Sequence, residues 1–352
     1  MMFLLIIFLF ILLPVYGFAF NISDYRFHNM PETSYYGGIH SIVKDSIGRI
    51  WFSGYDALFQ YNGNSFIQMN DLITKLSPNS YWAYGQVVTD SSKKLYVGTN
   101  QGLLCYNYLK QDFDLVLDGN IGSVVSDMKG NIWLIRNNKI QSFQSGQLPK
   151  INNYPLPSSV NVSTLTLICS NKDDIYIGSN GKVYKLNKKT KKYYLFIVLD
   201  NNDVIKDIIE YNNSFYILTQ MSGLYEYDDG GKLIKHISLT RDFGKSASAK
   251  KLYLDSSNII WVGTQSGLFL LDPLLSEIHC LRFDFYNRYS IPNNSIWSIY
   301  PDPDGGVWVG TYGGKLAYMT FFDSDVDYFK ATPGGLNHPI VSCFEEDKDG
   351  NL

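Results

Sequence analysis

The chain is poor in the residues from which most catalytic and metal sites are built. Only five histidines occur among 352 residues (His28, His40, His236, His279 and His338), and none lies within a metal-binding spacing of another. Four cysteines, Cys105, Cys169, Cys280 and Cys343, match neither a disulfide framework nor a zinc site. Their strand-like apolar surroundings favour free buried thiols over bridges. No Gly-x-Ser-x-Gly elbow is present. Basic residues are not in surplus: 30 Lys and Arg stand against 33 Asp and Glu, a net charge of −3, so nothing points to nucleic-acid binding. No helical period persists, and beyond residue 20 no apolar run is long enough to span a bilayer, so very little helix is expected.

What the chain does have is a repeat. The pattern Asp-x-x-Gly-x-Ile-Trp-x-Gly-Thr is best preserved at residues 302–311 (DPDGGVWVGT) and recurs in worn copies along the chain. Aligned on the aromatic, the copies centre on Trp51, Tyr96, Trp133, Tyr176, Tyr216, Trp261 and Trp308, with spacings of 45, 37, 43, 40, 45 and 47 residues. That period belongs to four-stranded propeller blades. An Asp stands six residues before the aromatic in five copies (Asp45, Asp90, Asp127, Asp255, Asp302), and Ser170 and Glu210 stand there in the other two.

Each copy divides into strands. An apolar innermost strand is followed by a tight turn opened by Asp and closed by Gly, where the Asp side chain can bond its own turn and Gly accepts positive φ. A second strand carries the aromatic, read as packing between blades, and ends in Gly-Thr, where the lack of a Cβ allows close backbone approach. The third strand reads Gly-Leu plus aromatics, as in residues 102–106, and a variable fourth strand such as residues 192–196 completes the blade. Seven copies predict an all-β, seven-bladed β-propeller of four-stranded antiparallel blades over residues 21–335. Residues 24–28 are expected to pair into the seventh blade and seal the ring, with residues 326–330 as the competing strand.

The termini carry further expectations. Residues 1–20 are uncharged, with an apolar run from Phe3 to Leu13, Pro14, and small residues Gly17 and Ala19 placed as at a signal-peptidase site. They read as a signal peptide, or as an N-terminal anchor, and either puts the rest outside the cytoplasm. Residues 336–352 read as the incomplete start of a second propeller, because Asp347 and Gly350 open another copy whose aromatic would fall just past Leu352.

Charged motifs read as structural. Residues 185–192 (KLNKKTKK) form a solvated hairpin tip; Asp302 and Asp304 belong to a turn; and residues 310–315 lack the spacing of a phosphate loop. His40 and Trp297 share an offset of five residues before the turn Asp, near the start of an innermost strand, where they are placed to line the channel. In a propeller, the loops before each innermost strand and the turns between strands two and three share one face. That rule gathers Tyr35, Tyr36, Tyr55, Trp82, Tyr84, Trp297 and Tyr312 as ligand-binding candidates, with Asn79, Asn100, Gln265 and Asn294 beside them. Aromatic faces with amides suit the stacking and hydrogen bonding that hold sugars. No cofactor, metal or catalytic residue is assigned.

The copies at residues 45–51, 127–133, 261–268 and 302–311 resemble the two-component regulator propeller repeat, found in the periplasmic sensors of hybrid two-component systems. The third to fifth copies depart from it: Arg136-Asn137 follows the third aromatic strand in place of Gly-Thr, and Leu218-Thr219 follows Tyr216. The resemblance implies a longer protein with two propellers, a β-sandwich, a membrane helix, a histidine kinase, a receiver and a DNA-binding domain. This chain would hold the first propeller alone, without enzymatic activity or nucleic-acid contact of its own. It further implies an oligosaccharide or other small ligand, a homodimer in the full-length protein, and membrane attachment only through the missing C-terminal part or an uncleaved N-terminal segment. The alternatives are a propeller lyase or glycan-cleaving enzyme, and a structural or interaction propeller.

Overall fold

A computed structural model describes residues 25–30, 37–54, 57–74, 86–145, 150–170, 172, 174–239, 248–275, 277–320 and 348. The chain divides into two compact units, residues 1–320 and 321–352. The first is a ring of seven four-stranded antiparallel sheets, a seven-bladed β-propeller. Helix is confined to Asn70–Thr74 and a single 3-10 turn at Val162–Thr164 among the described residues. The expected signal segment, the 335/336 boundary and the start of a second propeller lie outside the described residues.

The innermost strands of blades 1 to 7 are Ser41–Lys44, Val87–Thr89, Ile121–Ser126, Thr166–Cys169, Ile205–Tyr211, Ala249–Leu254 and Ile296–Pro301. The ring is sealed by Arg26–Asn29, which pairs antiparallel with Leu316–Thr320 as the outermost strand of blade 7. Phe27 anchors it, buried among Ile259, Trp261, Leu268 and Met319. The other candidate for this place, residues 326–330, lies outside the described residues.

The aromatic of every copy is buried in the seam with the following blade: Trp51 among residues of blades 1 and 2, Trp133 of blades 3 and 4, Trp261 of blades 6 and 7, and Trp308 of blades 7 and 1. A wholly buried Trp, at ~200 Å² and ~25 cal/mol per Å², contributes about 5 kcal/mol of gross burial energy to its seam. The turn Asp has a double task. Its Oδ1 accepts turn backbone N–H groups, as Asp255 does from Ser257 and Ile259. Its Oδ2 accepts the indole N–H in each Trp copy, at 2.7 Å (Asp45–Trp51), 2.9 Å (Asp127–Trp133), 2.8 Å (Asp255–Trp261) and 2.9 Å (Asp302–Trp308). The six-residue spacing is therefore that of a buried Asp–Trp bond as well as of a turn.

The worn copies solve the same problem differently. In blade 4, Ser170 and the Tyr176 hydroxyl both donate to Glu210 Oε1 of blade 5, at 2.7 and 3.2 Å. Glu210 is not the counterpart of the turn Asp, as the six-residue count suggests. The blade 5 hairpin turns on Asn212 and Asn213, both at positive φ, and is one residue shorter, so the pairing register places Tyr211 at that position.

Two further expectations need correction. The Gly of Gly-Thr makes room for a side chain of the next blade rather than for backbone: a Cβ at Gly310 would lie 2.6 Å from Ile39 Cγ2, and one at Gly263 would lie 2.9 Å from Ile296 Cγ2. The Lys185–Lys192 segment is only partly a solvated tip. Lys185 pairs with Asp174 at 2.6 Å, and Lys188 crosses to blade 3, reaching Asp127 at 3.5 Å and lying over the Trp133 ring.

Candidate functional site at the channel mouth

One face of the ring is built by a repeated backbone bond. The turn between strands two and three donates to the residue just ahead of that blade's innermost strand: Asn137 N to Asn120 O, Gln220 N to Val204 O, Gln265 N to Ser248 O and Tyr312 N to Ser295 O. The two sets of loops that the sequence assigns to one face are thus bonded to each other.

At this face the innermost strands are bulged. The pairing register slips between Ile121 and Ser123, Ile205 and Asp207, Ala249 and Lys251, and Ile296 and Ser298. A bulge re-aims the extra side chain and leaves it outside the ladder. The extra residues are Gly122, Lys206, Lys250 and Trp297, and His40 occupies the matching place just ahead of Ser41 in blade 1.

The side chains of His40, Lys250 and Trp297 converge. The Trp297 ring lies 4.7 Å from that of His40 and carries the Lys250 ammonium 4.4 Å above its centroid. Its Nε1 donates to Ser295 Oγ at 2.9 Å, and Gly38 seats its back, because a Cβ there would lie 2.6 Å from Trp297 Cδ2. Tyr312 stands beside it, ring centroids 6.4 Å apart and tilted by 34°, with half of its surface exposed. Trp297 and Tyr312 therefore form an aromatic platform, held at fixed orientation, on the rim of the channel.

Among the described residues, two ammonium groups, Lys206 and Lys250, stand at this rim. Burial pushes the Lys206 ammonium below its ordinary pKa, and the neighbouring Lys250 adds to this, against an opposing pull from Asp203. Burial also lowers Lys250. His40 is lowered by burial and then by Lys250. The nearby carboxylates are otherwise engaged. Asp203 accepts the backbone N–H groups of Met221 and Ser222 at 2.8 and 2.7 Å, while Asp207 takes Lys251 at 2.7 Å and Leu252 N at 3.0 Å.

Of the seven aromatic candidates read from the sequence, Trp297 and Tyr312 are brought together, while Tyr35, Tyr36, Tyr55, Trp82 and Tyr84 lie outside the described residues. Asn79 lies there too. Asn294 is spent on Phe283 N at 2.7 Å, and Gln265 is exposed. Lys206 and Lys250 were missed. Lys250 sits at the same five-residue offset from its turn Asp as His40 and Trp297, and that offset was the available signal.

The remaining described histidines are dispersed. His28 meets Tyr289 on the closing strand, His236 stacks on Tyr225 in the outer strand of blade 5, and His279 bonds Glu277 in the outer strand of blade 6. Among the described residues no group of His, Cys, Asp and Glu could hold a metal ion, and no helix is long and apolar enough to cross a membrane. Cys105, Cys169 and Cys280 are free thiols.

Residues 290–313 match the family described as two component regulator propeller, so the resemblance read from the repeat holds at its best-preserved copy. No curated protein sequence matches the chain. Among solved structures, the fold is similar to the extracellular domain of the hybrid two-component system BT4673 from B. thetaiotaomicron, with TM-score 0.69, 21% identity, and coverage of 87% of this chain and 41% of that one. It is similar also to that of BT3049 from the same organism, with TM-score 0.65, 21% identity, and coverage of 85% and 42%. The chain thus spans about two fifths of the length of these neighbours. Virginiamycin B lyase from Staphylococcus aureus shares the fold at TM-score 0.66 and 12% identity, covering 84% of this chain and 99% of the lyase.

Proposed function

We propose that the chain is the ligand-sensing propeller of an extracytoplasmic, periplasmic hybrid two-component sensor, that its ligand is an oligosaccharide, and that the response regulates polysaccharide use. The observation that carries this reading is the Trp297–Tyr312 platform, a pair of aromatic rings seated by Gly38 and Ser295 at the mouth of the channel. Flat aromatic faces held in place suit the apolar faces of sugar rings at little entropic cost. The repeat family and the extracellular neighbours support the sensor context.

In this reading the chain itself is not an enzyme. Its described histidines do not meet over the channel, which a propeller lyase with a convergent acid–base set would need. Signalling follows from differential binding: the oligosaccharide favours one arrangement of the whole sensor, paired as two copies, and the bias is read by domains beyond this chain. The test is a glycan survey with the purified chain, followed by Trp297→Ala. At least one oligosaccharide binds, and the variant weakens it about tenfold or more, the loss expected when a main stacking face is removed. Absence of any glycan ligand, or affinity unchanged in the Trp297→Ala, Tyr312→Ala double variant, refutes the reading.

A further inference from the structure

Lys206 and Lys250 occupy the same bulge position on neighbouring blades, and both are half-buried. Among the described residues neither has a carboxylate within ion-pair distance. The two half-buried ammonium groups stand on adjacent blades at one level of the ring, near His40, and Lys250 is offset only by its contact with the Trp297 face. The arrangement carries a desolvation cost and a like-charge cost, and both ease when an anion arrives. Two described acids beside Lys206 in sequence, Asp203 and Asp207, are held by Met221 N, Ser222 N, Leu252 N and Lys251. On the far side of the ring, the Asp118 carboxylate of blade 2 is largely solvated and paired with Arg136 of blade 3. Among the described residues these two ammonium groups stand on blades 5 and 6, and they adjoin Trp297, which lies between blades 6 and 1 and already faces Lys250 at 4.4 Å.

We infer that the channel mouth takes an acidic saccharide, whose carboxylate or sulfate sits between Lys206 and Lys250 and draws the Lys250 ammonium off the Trp297 ring, while its own ring stacks on Trp297 and Tyr312. This rests on the sensing role proposed above and narrows the ligand class. The anion replaces repulsion between the two ammonium groups with charge-assisted bonds, and the adjacent platform limits how the sugar carrying it can sit. A neutral sugar of the same shape finds the platform but must cover two ammonium groups without pairing them, which costs affinity.

The experiment compares three probes by calorimetry on the whole chain: trigalacturonate, α-1,4-galactotriose, and a sulfated neocarrabiose, which carries no carboxylate. The first and third separate a carboxylate from a sulfate preference. At least one acidic probe is expected to bind about tenfold or more tighter than galactotriose, the value of one charge-assisted bond, and to weaken with added salt. Lys206→Met and Lys250→Met keep the apolar stems and relieve repulsion, so both remain folded by thermal melting. Each loses most of the preference for the acidic probe, whereas Lys250→Arg retains it. Galactotriose binding as well as or better than both acidic probes overturns the inference and leaves the sensing role standing. So does an acidic preference that survives both Met substitutions, or no binding of any probe by a chain that binds a neutral glycan in the survey. No binding to any glycan overturns both readings together.

Discussion

Replacing the turn aspartate by asparagine should have opposite consequences in two blades of the same ring. In blade 6, Asp255 is buried and accepts the Trp261 indole N–H at 2.8 Å through Oδ2, while Oδ1 holds Ile259 N at 2.8 Å and Ser257 N at 2.9 Å. Asp255→Asn keeps the Oδ1 bonds but turns an amide NH2 toward the indole N–H, so a buried donor loses its acceptor. A buried donor left unsatisfied costs about 1–3 kcal/mol. Burial already raises the Asp255 pKa, so removing the charge returns part of this, and a net loss of about 1–2 kcal/mol is expected. In blade 2 the aromatic is Tyr96 and has no N–H to offer. There Asp90 Oδ1 holds Ser92 N, Ser92 Oγ and Lys94 N, while Oδ2 is buried without a partner. Asp90→Asn swaps one unpartnered atom for another and removes a buried charge, so stability should stay within about 0.5 kcal/mol of the parent. Urea unfolding followed by far-ultraviolet circular dichroism measures both variants. The double variant Asp255→Asn, Trp261→Phe should show coupling, because the donor and its lost acceptor are removed together. Equal losses for Asp90→Asn and Asp255→Asn would refute the argument, since the turn bonds alone would then explain the aspartate.

Further outcomes follow from the same structure. Phe27→Ala should cost about 3–5 kcal/mol, the range for deleting a fully buried ring, and thermal melting should show it. Gly38→Ala should displace Trp297 and weaken glycan binding about tenfold or more while the melting temperature changes little, because a Cβ there meets the ring at 2.6 Å; a calorimetric titration decides it. His40 has a folded pKa below 6.5 through burial and Lys250, so the unfolded chain takes up its proton first. Its contribution is complete above pH 6.5 and is lost as pH falls from there toward the folded value. A ring-proton NMR titration should place His40 below 6.5, and Lys250→Met should move it up. Glu210→Ala should loosen the seam of blades 4 and 5, raising amide hydrogen exchange there first, because Ser170 and Tyr176 lose their shared acceptor.

Much of the ring was legible because one solution recurs. The aromatic every 37 to 47 residues and the Asp six residues before it mark a buried side-chain bond that each Trp blade must make, so the spacing is held more tightly than the rest of the sequence. What escaped notice did so for local reasons. Glu210 was placed one position away from its true register because an Asn-Asn hairpin is a residue shorter than an Asp-Gly turn. The same shortening put Lys206 four residues before Glu210, out of line with His40, Lys250 and Trp297, although all four lie at one level of the ring. The interblade use of Lys188 was invisible because its partners, Asp127 and Trp133, belong to another copy. Bulges decide the mouth, and a bulge leaves no residue-type signature in a strand where Gly, Lys and Trp all serve.

The central claim is that a saccharide binds at the mouth on Trp297 and leaves the interblade tryptophans untouched. Indole N–H resonances of the chain's six tryptophans, assigned by single Trp→Phe substitutions, can be followed by heteronuclear NMR as a bound glycan is titrated. The Trp297 signal should shift and saturate with the calorimetric affinity, while those of Trp51, Trp133, Trp261 and Trp308, each bonded to its buried Asp, stay in place. A glycan that binds with the Trp297 signal unmoved, or that shifts the four buried indoles instead, would contradict the account.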